Sequence, residues 1–438
     1  MPKIEKLVGR EILDSRGRPT VLAKCFLEGG FCATASVPSG ASTGQAEACE
    51  LRDGDPNRYQ GLGCRRAAEN IGGAIHDAVA GRVITHQSEL DEAMIALDGT
   101  PSKSRLGANA SLAVSVAFAR AQALYRGIPL YRHFANLASC RVETMPRLTI
   151  NLFSGGKHAG QQVSVQDVLI IPMAAQTIDA SLVAASNVYQ AAARLIFERY
   201  RMRLLTADEG GLAPPFASTQ EMFELAVQAI EEAGYIPGRD ISLGVDVAAT
   251  HFSQNQRYEI DSQVLDSSGM IEKISHWLDR FPILSVEDGL AEDDWQNWPG
   301  LHQALAGRAL TLGDDLLCTN PYRIQRAIEN QACDALLLKV NQIGTLTEAM
   351  AAYKLARSAG WAVTLSVRSG ETEDNWAADL AVGWQADQFK NGSIRQSERL
   401  AKYNRLLEIE EQENLPITNS MKALIRHRHL ISNPFEKE

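Results

Sequence analysis

The rhythm of apolar and polar positions changes near residue 147. Before it, residues 3–37 alternate apolar and polar. The turn-forming strings Ser15-Arg16-Gly17-Arg18-Pro19 and Glu28-Gly29-Gly30 break the alternation, which predicts a small meander of strands. Residues 60–138 read as helices, and 108–125 are rich in Ala, Ser and Val, small enough for close helix packing. After it, two strand-like runs (147–153 and 163–171) precede a helical stretch over 178–200, with Leu182, Ala185, Val188, Tyr189, Ala192 and Leu195 on one face. Short apolar runs at 243–246, 283–287, 310–314, 335–339 and 361–366 then alternate with helical stretches at the spacing of a βα unit. This predicts an α/β chain: a parallel β/α barrel of the TIM type behind a smaller N-terminal domain. The segment 139–146, with Cys140 and Pro146, is the expected boundary, giving domains 1–140 and 141–438.

The run Ala335-Leu336-Leu337-Leu338 ends in Lys339. Burying an ammonium is costly unless it is paired or gives up its proton, so Lys339 is either an ion-pair member or a base of lowered pKa. Three other apolar runs end in Asp246, Glu287 and Asp314. Barrel strands gather their C-terminal ends on one face, so these four side chains are expected to meet. Oxygen ligands alone suit a hard cation such as Mg²⁺. One acid after a strand is more often a helix N-cap, as Asp288 or Asp315 would be; three at matched positions opposite a lysine favour a metal site. A cation and a low dielectric both lower a lysine pKa. Lys339 is therefore expected to act as a base toward carbon next to a carboxylate, with the cation stabilising the enolate.

Asp208-Glu209-Gly210-Gly211 is a polar turn that either offers an acid to a leaving hydroxyl or merely caps itself. Gly155-Gly156-Lys157-His158 sets cationic side chains beside a flexible turn, although a lone histidine is more often just hydrogen-bonded. Ser366-Val367-Arg368-Ser369-Gly370 follows a strand. Its arginine fork, serine and backbone N–H groups make an anion site to which Lys390 adds charge, or else a solvated loop. Pro38-Ser39-Gly40-Ala41-Ser42-Thr43-Gly44 has glycines that let N–H groups approach a phosphate. It lacks the Gly-Lys-Ser/Thr ending of a P-loop, so nucleotide binding is not expected, and alone it reads as a surface loop.

Composition narrows the partners. The net charge of −10 over 438 residues argues against a nucleic-acid scaffold while leaving room for a local anion site. Seven cysteines without a C-x-x-C pair fit reduced thiols. There is no apolar signal core and no membrane-length apolar run, so a cytoplasmic protein with no membrane partner is expected.

Several blocks together resemble the enolase family nearly end to end. They are Gly9-Arg10-Glu11-Ile12-Leu13-Asp14-Ser15-Arg16-Gly17, the 38–44 loop, Glu50-Leu51-Arg52-Asp53-Gly54-Asp55 and the 208–211 turn. Further on come Val286-Glu287-Asp288-Gly289-Leu290, Gly313-Asp314-Asp315-Leu316, Lys339-Val340-Asn341-Gln342-Ile343-Gly344, Arg368-Ser369-Gly370-Glu371-Thr372 and Ala401-Lys402-Tyr403-Asn404. The resemblance implies a small α+β domain capping a modified barrel, assembled as a homodimer or an octamer. It implies dehydration of a small 2-phospho-3-hydroxy acid. Lys339 is then the base and Glu209 assists the departing hydroxyl, with Asp167 and His158 also in the catalytic set. Asp246, Glu287 and Asp314 hold one Mg²⁺, and a second binds with substrate. Ser42, Gln166, Arg368, Ser369 and Lys390 contact the anionic substrate; Lys157, which departs from the family, is expected to contact an additional carboxylate on it. The pairing of a Lys base with Mg²⁺ is a known pattern of this superfamily.

The departures from the family pattern fall in the expected pocket. Lys157 replaces a glutamate, Asp167 a glutamate, Val367 a histidine, and Ser154 an asparagine. The base and the metal acids are intact, so altered specificity is expected rather than lost catalysis. More positive charge and more room near the phosphoryl group fit a substrate with extra anion there, as in the enolase-like carboxyphosphonoenolpyruvate synthases of phosphonate biosynthesis. The alternatives are an ordinary glycolytic enolase and a non-catalytic paralogue that acts as a binding protein. Phosphate-type loops make a racemase or sugar-acid dehydratase the poorer match.

Overall fold

The computed structural model describes residues 2–41 and 43–420. Strands β1 (Ile4–Leu13), β2 (Pro19–Leu27) and β3 (Phe31–Ser36) form the expected antiparallel meander. Val21, Ala23, Cys25 and Leu27 are fully buried at alternate positions of β2, the period-2 pattern of a half-covered sheet. Helix Ala108–Arg126 packs on β2 and β3, and its many alanines let it lie close.

The larger domain starts with β4 (Arg147–Ser154), β5 (Asp167–Pro172) and β6 (Ile241–Asp246). A small sheet follows, of β7 (Ser253–Gln254), β8 (Arg257–Ile260) and β9 (Gln263–Leu265). Then come β10 (Ile283–Glu287), β11 (Leu310–Gly313), β12 (Ala335–Leu338), β13 (Ala362–Ser366) and β14 (Gln388–Lys390). A closed barrel runs in the order β10-β11-β12-β13-β14-β4-β5-β6.

The all-parallel barrel expected from the rhythm is corrected at one strand. β5 is antiparallel to both β4 and β6. The connection from β4 to β5 holds only the single turn Gly156–His158, with no crossover helix to return the chain to its starting edge, so it closes as a hairpin. A reversed strand starts where its neighbours end. Asp167, the first residue of β5, therefore joins the rim formed by the last residues of the other strands. β14 was not foreseen, because three residues carry no readable period. It bridges β13 and β4 and puts Lys390 on that rim.

Leu310 and Leu312 of β11 and Ala335 and Leu337 of β12 pack inside the barrel with Ile171, Met173 and Leu284. Leu336 and Leu338 join the larger core outside it. Strand alternation carries the inward parity two residues further, to Asp314 and Lys339. The N-terminal domain docks on this rim: Ser39 and Gly370 exchange backbone hydrogen bonds of 2.8 and 3.0 Å, and the Ser15 N–H donates to the Glu371 carbonyl at 2.7 Å. Among the described residues no helix is long and apolar enough to cross a membrane.

His133, on helix Leu130–Ala138, is fully buried and neither ring nitrogen has a partner. Burial, aided by Arg126, lowers its pKa from 6.5 to about 4. The unfolded chain binds this proton more readily, so stability is whole above pH 6.5 and drains as pH falls toward 4. Between pH 7 and 5 the loss is about 2 kcal/mol. Urea titrations at the two pH values are expected to show this loss shrinking in His133→Leu; an unchanged difference contradicts it.

Candidate active site

The rim brings buried acids and a lysine to one level of the barrel. Glu287 pairs with Asp246 across β10 and β6, Asp167 with Asp246 across β5 and β6, Ser154 with Asp167 across β4 and β5, and Ser366 with Lys390 across β13 and β14. Lys390 Nζ donates to Asp246 Oδ2 at 2.8 Å and to Glu287 Oε2 at 2.6 Å, all three being buried. Burial disfavours the Lys390 cation, but the two carboxylates outweigh it and hold its pKa well above the usual lysine range. Burial also opposes the Asp246 anion, yet Lys390 brings it down to about 2. Glu287 takes the other share: burial and the Asp246 charge raise it well above an ordinary carboxyl.

Lys339 Nζ donates to Asp314 Oδ2 at 2.5 Å. A closed loop of bonds fixes this pair. The Lys339 N–H donates to Thr319 Oγ1 (2.9 Å), Thr319 to Gln342 Oε1 (2.7 Å), and Gln342 Nε2 to Asp314 Oδ1 (2.8 Å). Thr319 sits at a φ of +50°, a left-handed conformation that β-branched residues rarely adopt, at the foot of this loop. Sequence reasoning gave neither Thr319 nor Gln342 a role, because a neutral side chain after a strand carries no charge signal. Among the protein's own groups, burial disfavours the Lys339 charge, but Asp314 and Glu287 together outweigh it and raise its pKa.

On the opposite wall His158 Nδ1 lies 2.7 Å from Asp167 Oδ2, and its Nε2 lies 3.8 Å from Glu209 Oε1. Asp167 Oδ1 accepts from Asn151 Nδ2 and Ser154 Oγ, each at 2.7 Å. Burial opposes the His158 cation, but Asp167 and Glu209 raise its pKa to about 9. Glu209 is pushed up by burial and brought below its ordinary value by His158, Arg399 and the lysines.

The third wall carries the expected anion groups. Ser369 Oγ accepts from Arg16 Nη1 (3.1 Å) and from the Ala41 N–H (3.0 Å). Arg368 Nη1 donates to Glu47 Oε2 at 3.0 Å. A Cβ on Gly40 would stand 1.9 Å from Arg368 Nη2, so a side chain there would push the guanidinium aside. Arg399, fully buried, donates to the carbonyls of Arg368 and Ser369, at 2.7 Å each, and fixes the strand end that carries them. Ser42 lies outside the described residues.

One narrow pocket has Lys339, Glu209, His158, Gln166, Asp246, Arg368, Ser369 and Lys390 on its wall, with Ala41, Ser366 and Val367. Asp167 is fully buried behind His158 and is not on this wall. Lys157 is exposed and also stands off it.

Comparison with known families gives two matches that tile the chain. Residues 4–134 match the enolase N-terminal domain, and residues 142–419 match the enolase C-terminal TIM barrel domain. The chain belongs to the enolase family. It is thereby an enolase-superfamily lyase in its general class.

For an enolase-family barrel the open question at this rim is what holds a cation. Among the described residues, the acid and histidine groups whose ligand atoms converge within 4.8 Å are His158–Asp167–Glu209 and Asp288–Asp314–Asp315. Asp246, Glu287 and Asp314 are spread across three strands and take Lys390 and Lys339 as counter-charges. Their donor set still fits a hard cation: it is oxygen only, it is buried, and Glu287 Oε1 and Gln166 Oε1 are buried with no partner. Asp288 caps no helix, contrary to the helix N-cap reading. Its oxygens accept the N–H groups of Asp314 (2.9 Å) and Asp315 (2.7 Å), and so it aims Asp314.

Proposed function

We propose that this chain is a Mg²⁺-dependent hydro-lyase of the enolase type, acting on 2-phosphoglycerate or a close phosphorus-modified analogue. The observation that carries the reading is the single cavity walled by Lys339, by Glu209 with His158, and by Arg368, Ser369 and Lys390. A base, an acid pair and an anion clamp around one small space are the groups that dehydration of a 2-phospho-3-hydroxy acid needs. Lys339, once its Nζ is freed from Asp314 and neutral, takes the proton from the carbon next to the carboxylate. The hydroxyl leaves on the Glu209 side, with a proton available from the His158 cation that faces Glu209. Arg368, Ser369 and the 38–44 loop hold the phosphoryl end, and Gln166 sits beside Asp246, 3.2 Å from its Oδ2. Asp246, Glu287 and Asp314 would hold Mg²⁺, which would supply charge stabilisation as the proton leaves, and a second ion would accompany the substrate. We further propose a cytoplasmic homodimer or octamer with no nucleic-acid or membrane partner, and a domain division at residues 140 and 141.

Val367 is the departure that bears on substrate choice. It lies on the cavity wall next to Arg368, where the family's histidine would place a donor and more bulk. The space favours a substrate with additional anion on phosphorus, such as the precursor of carboxyphosphonoenolpyruvate. Lys157 stands off this wall and supports the idea only through its charge. Steady-state assays with Mg²⁺ on 2-phosphoglycerate and on the analogue carrying a carboxylate on phosphorus test this. The analogue is expected to be preferred by at least about 10-fold in kcat/KM, with Val367→His narrowing the gap. Ordinary turnover of 2-phosphoglycerate with no preference for the analogue overturns the altered-substrate reading.

A further inference from the structure

Two of the departures from the enolase pattern touch each other. Ser154 and Asp167 face across β4 and β5, and the Ser154 hydroxyl donates to Asp167 Oδ1 at 2.7 Å. Asn151 Nδ2 donates to the same oxygen at 2.7 Å, and His158 Nδ1 takes the other oxygen at 2.7 Å. Both carboxylate oxygens are thus engaged within the protein. Asp167 and Ser154 are fully buried, and neither is on the cavity wall, whereas His158 and Glu209 are. The turn carrying Glu209 rests on this network: a Cβ on Gly211 would come within 2.6 Å of Ser154 Oγ and 2.8 Å of Asn151 Oδ1. An acid one methylene shorter than the family's glutamate is drawn back from the pocket, and the shorter Ser154 closes onto it.

We propose that Asp167 acts on the reaction only through His158, as a positioning residue that fixes the imidazole so that Nε2 meets the hydroxyl-bearing end of the substrate beside Glu209. The assignment rests on the reading of the site given above. A carboxylate on Nδ1 holds that nitrogen as the N–H donor and orients the ring, and His158 is then the side chain that touches substrate. Asn151 and Ser154 keep the carboxylate from rotating away.

A double-mutant cycle tests this, using whichever of the two substrates turns over faster. Asp167→Asn is expected to lower kcat by roughly 10- to 100-fold with KM within about twofold. His158→Gln is expected to lose at least as much, and the double variant no more than His158→Gln alone. Independent, multiplicative losses, or a KM that rises with Asp167→Asn, show a direct contact with substrate and overturn the proposal. Ser154→Ala gives a milder probe should Asp167→Asn fold poorly: a loss of about fivefold is expected with His158 present and none in the His158→Gln background. A loss of equal size in both backgrounds also overturns the proposal. Proton NMR of the protein without substrate separates the dyad from the functional reading. A downfield Nδ1 proton is expected that vanishes in His158→Gln and moves upfield in Asp167→Asn. If neither substrate turns over, the functional reading fails, and this resonance still decides the dyad: unchanged in Asp167→Asn, it overturns the proposal.

Discussion

Lys339→Ala is expected to lower kcat by about 10³-fold, the size of a lost general base. The loss has a signature that separates it from damage to the fold. In deuterated water, the base exchanges the hydrogen on the carbon next to the carboxylate even when elimination stalls. Lys339→Ala is expected to abolish this exchange. Glu209→Gln is expected to retain it while losing elimination, because the two residues stand on different walls of the cavity and serve different bonds. Mass spectrometry of recovered substrate reads both. Exchange that persists at wild-type rate in Lys339→Ala would remove the lysine from the proton-transfer step and return it to the role of an ion-pair partner for Asp314. Lys339→Met keeps the length of the side chain and controls for packing. It leaves Asp314 with the Gln342 amide, so the rim retains part of its bonding.

The site was legible where charge interrupts an apolar period. Leu336, Leu337 and Leu338 have no reason to be followed by lysine unless the strand ends at a polar rim, and the inward parity of Ala335 and Leu337 extends to Lys339. The same logic found Asp246, Glu287 and Asp314. It could not find the direction of β5, since a period of two reads the same forwards and backwards. That direction brings Asp167 to the rim. Nor could it find Thr319 and Gln342, whose importance lies in a closed ring of neutral hydrogen bonds. The expectation for Lys339 weighed burial and a cation; among the protein's own groups, the Asp314 carboxylate at 2.5 Å and Glu287 together outweigh burial and raise the lysine. Lys157 was expected among the substrate contacts because it sets a positive charge where the family has a glutamate, but the turn Gly156–His158 leaves it exposed while His158 turns inward. Family resemblance located the departures at 154, 157, 167 and 367. Only the fold shows that two of them pair with each other and one faces solvent.

Glu287→Gln is expected to weaken divalent-cation binding on the order of 10²-fold or more, with activity falling in step at limiting Mg²⁺. Charge is crowded at the rim. Asp246 and Glu287 share Lys390; burial and the Asp246 charge push Glu287 well toward its protonated form, while Lys390 keeps Asp246 ionised. Glutamine copies the shape and hydrogen bonding of a protonated glutamate, so the fold is expected to tolerate the change, with little shift in the melting temperature. What it removes is the ability of the residue to ionise when a cation arrives at its unpartnered Oε1. Calorimetric titration with Mg²⁺ measures the loss directly and needs no substrate. Asp288→Asn is the matched control. Its oxygens already cap the backbone of Asp314 and Asp315, so the variant is expected to lower thermal stability more than cation affinity. If Asp288→Asn abolishes Mg²⁺ binding while Glu287→Gln leaves it intact, the cation belongs to the Asp288–Asp314–Asp315 group, and the base at Lys339 would face a differently placed charge.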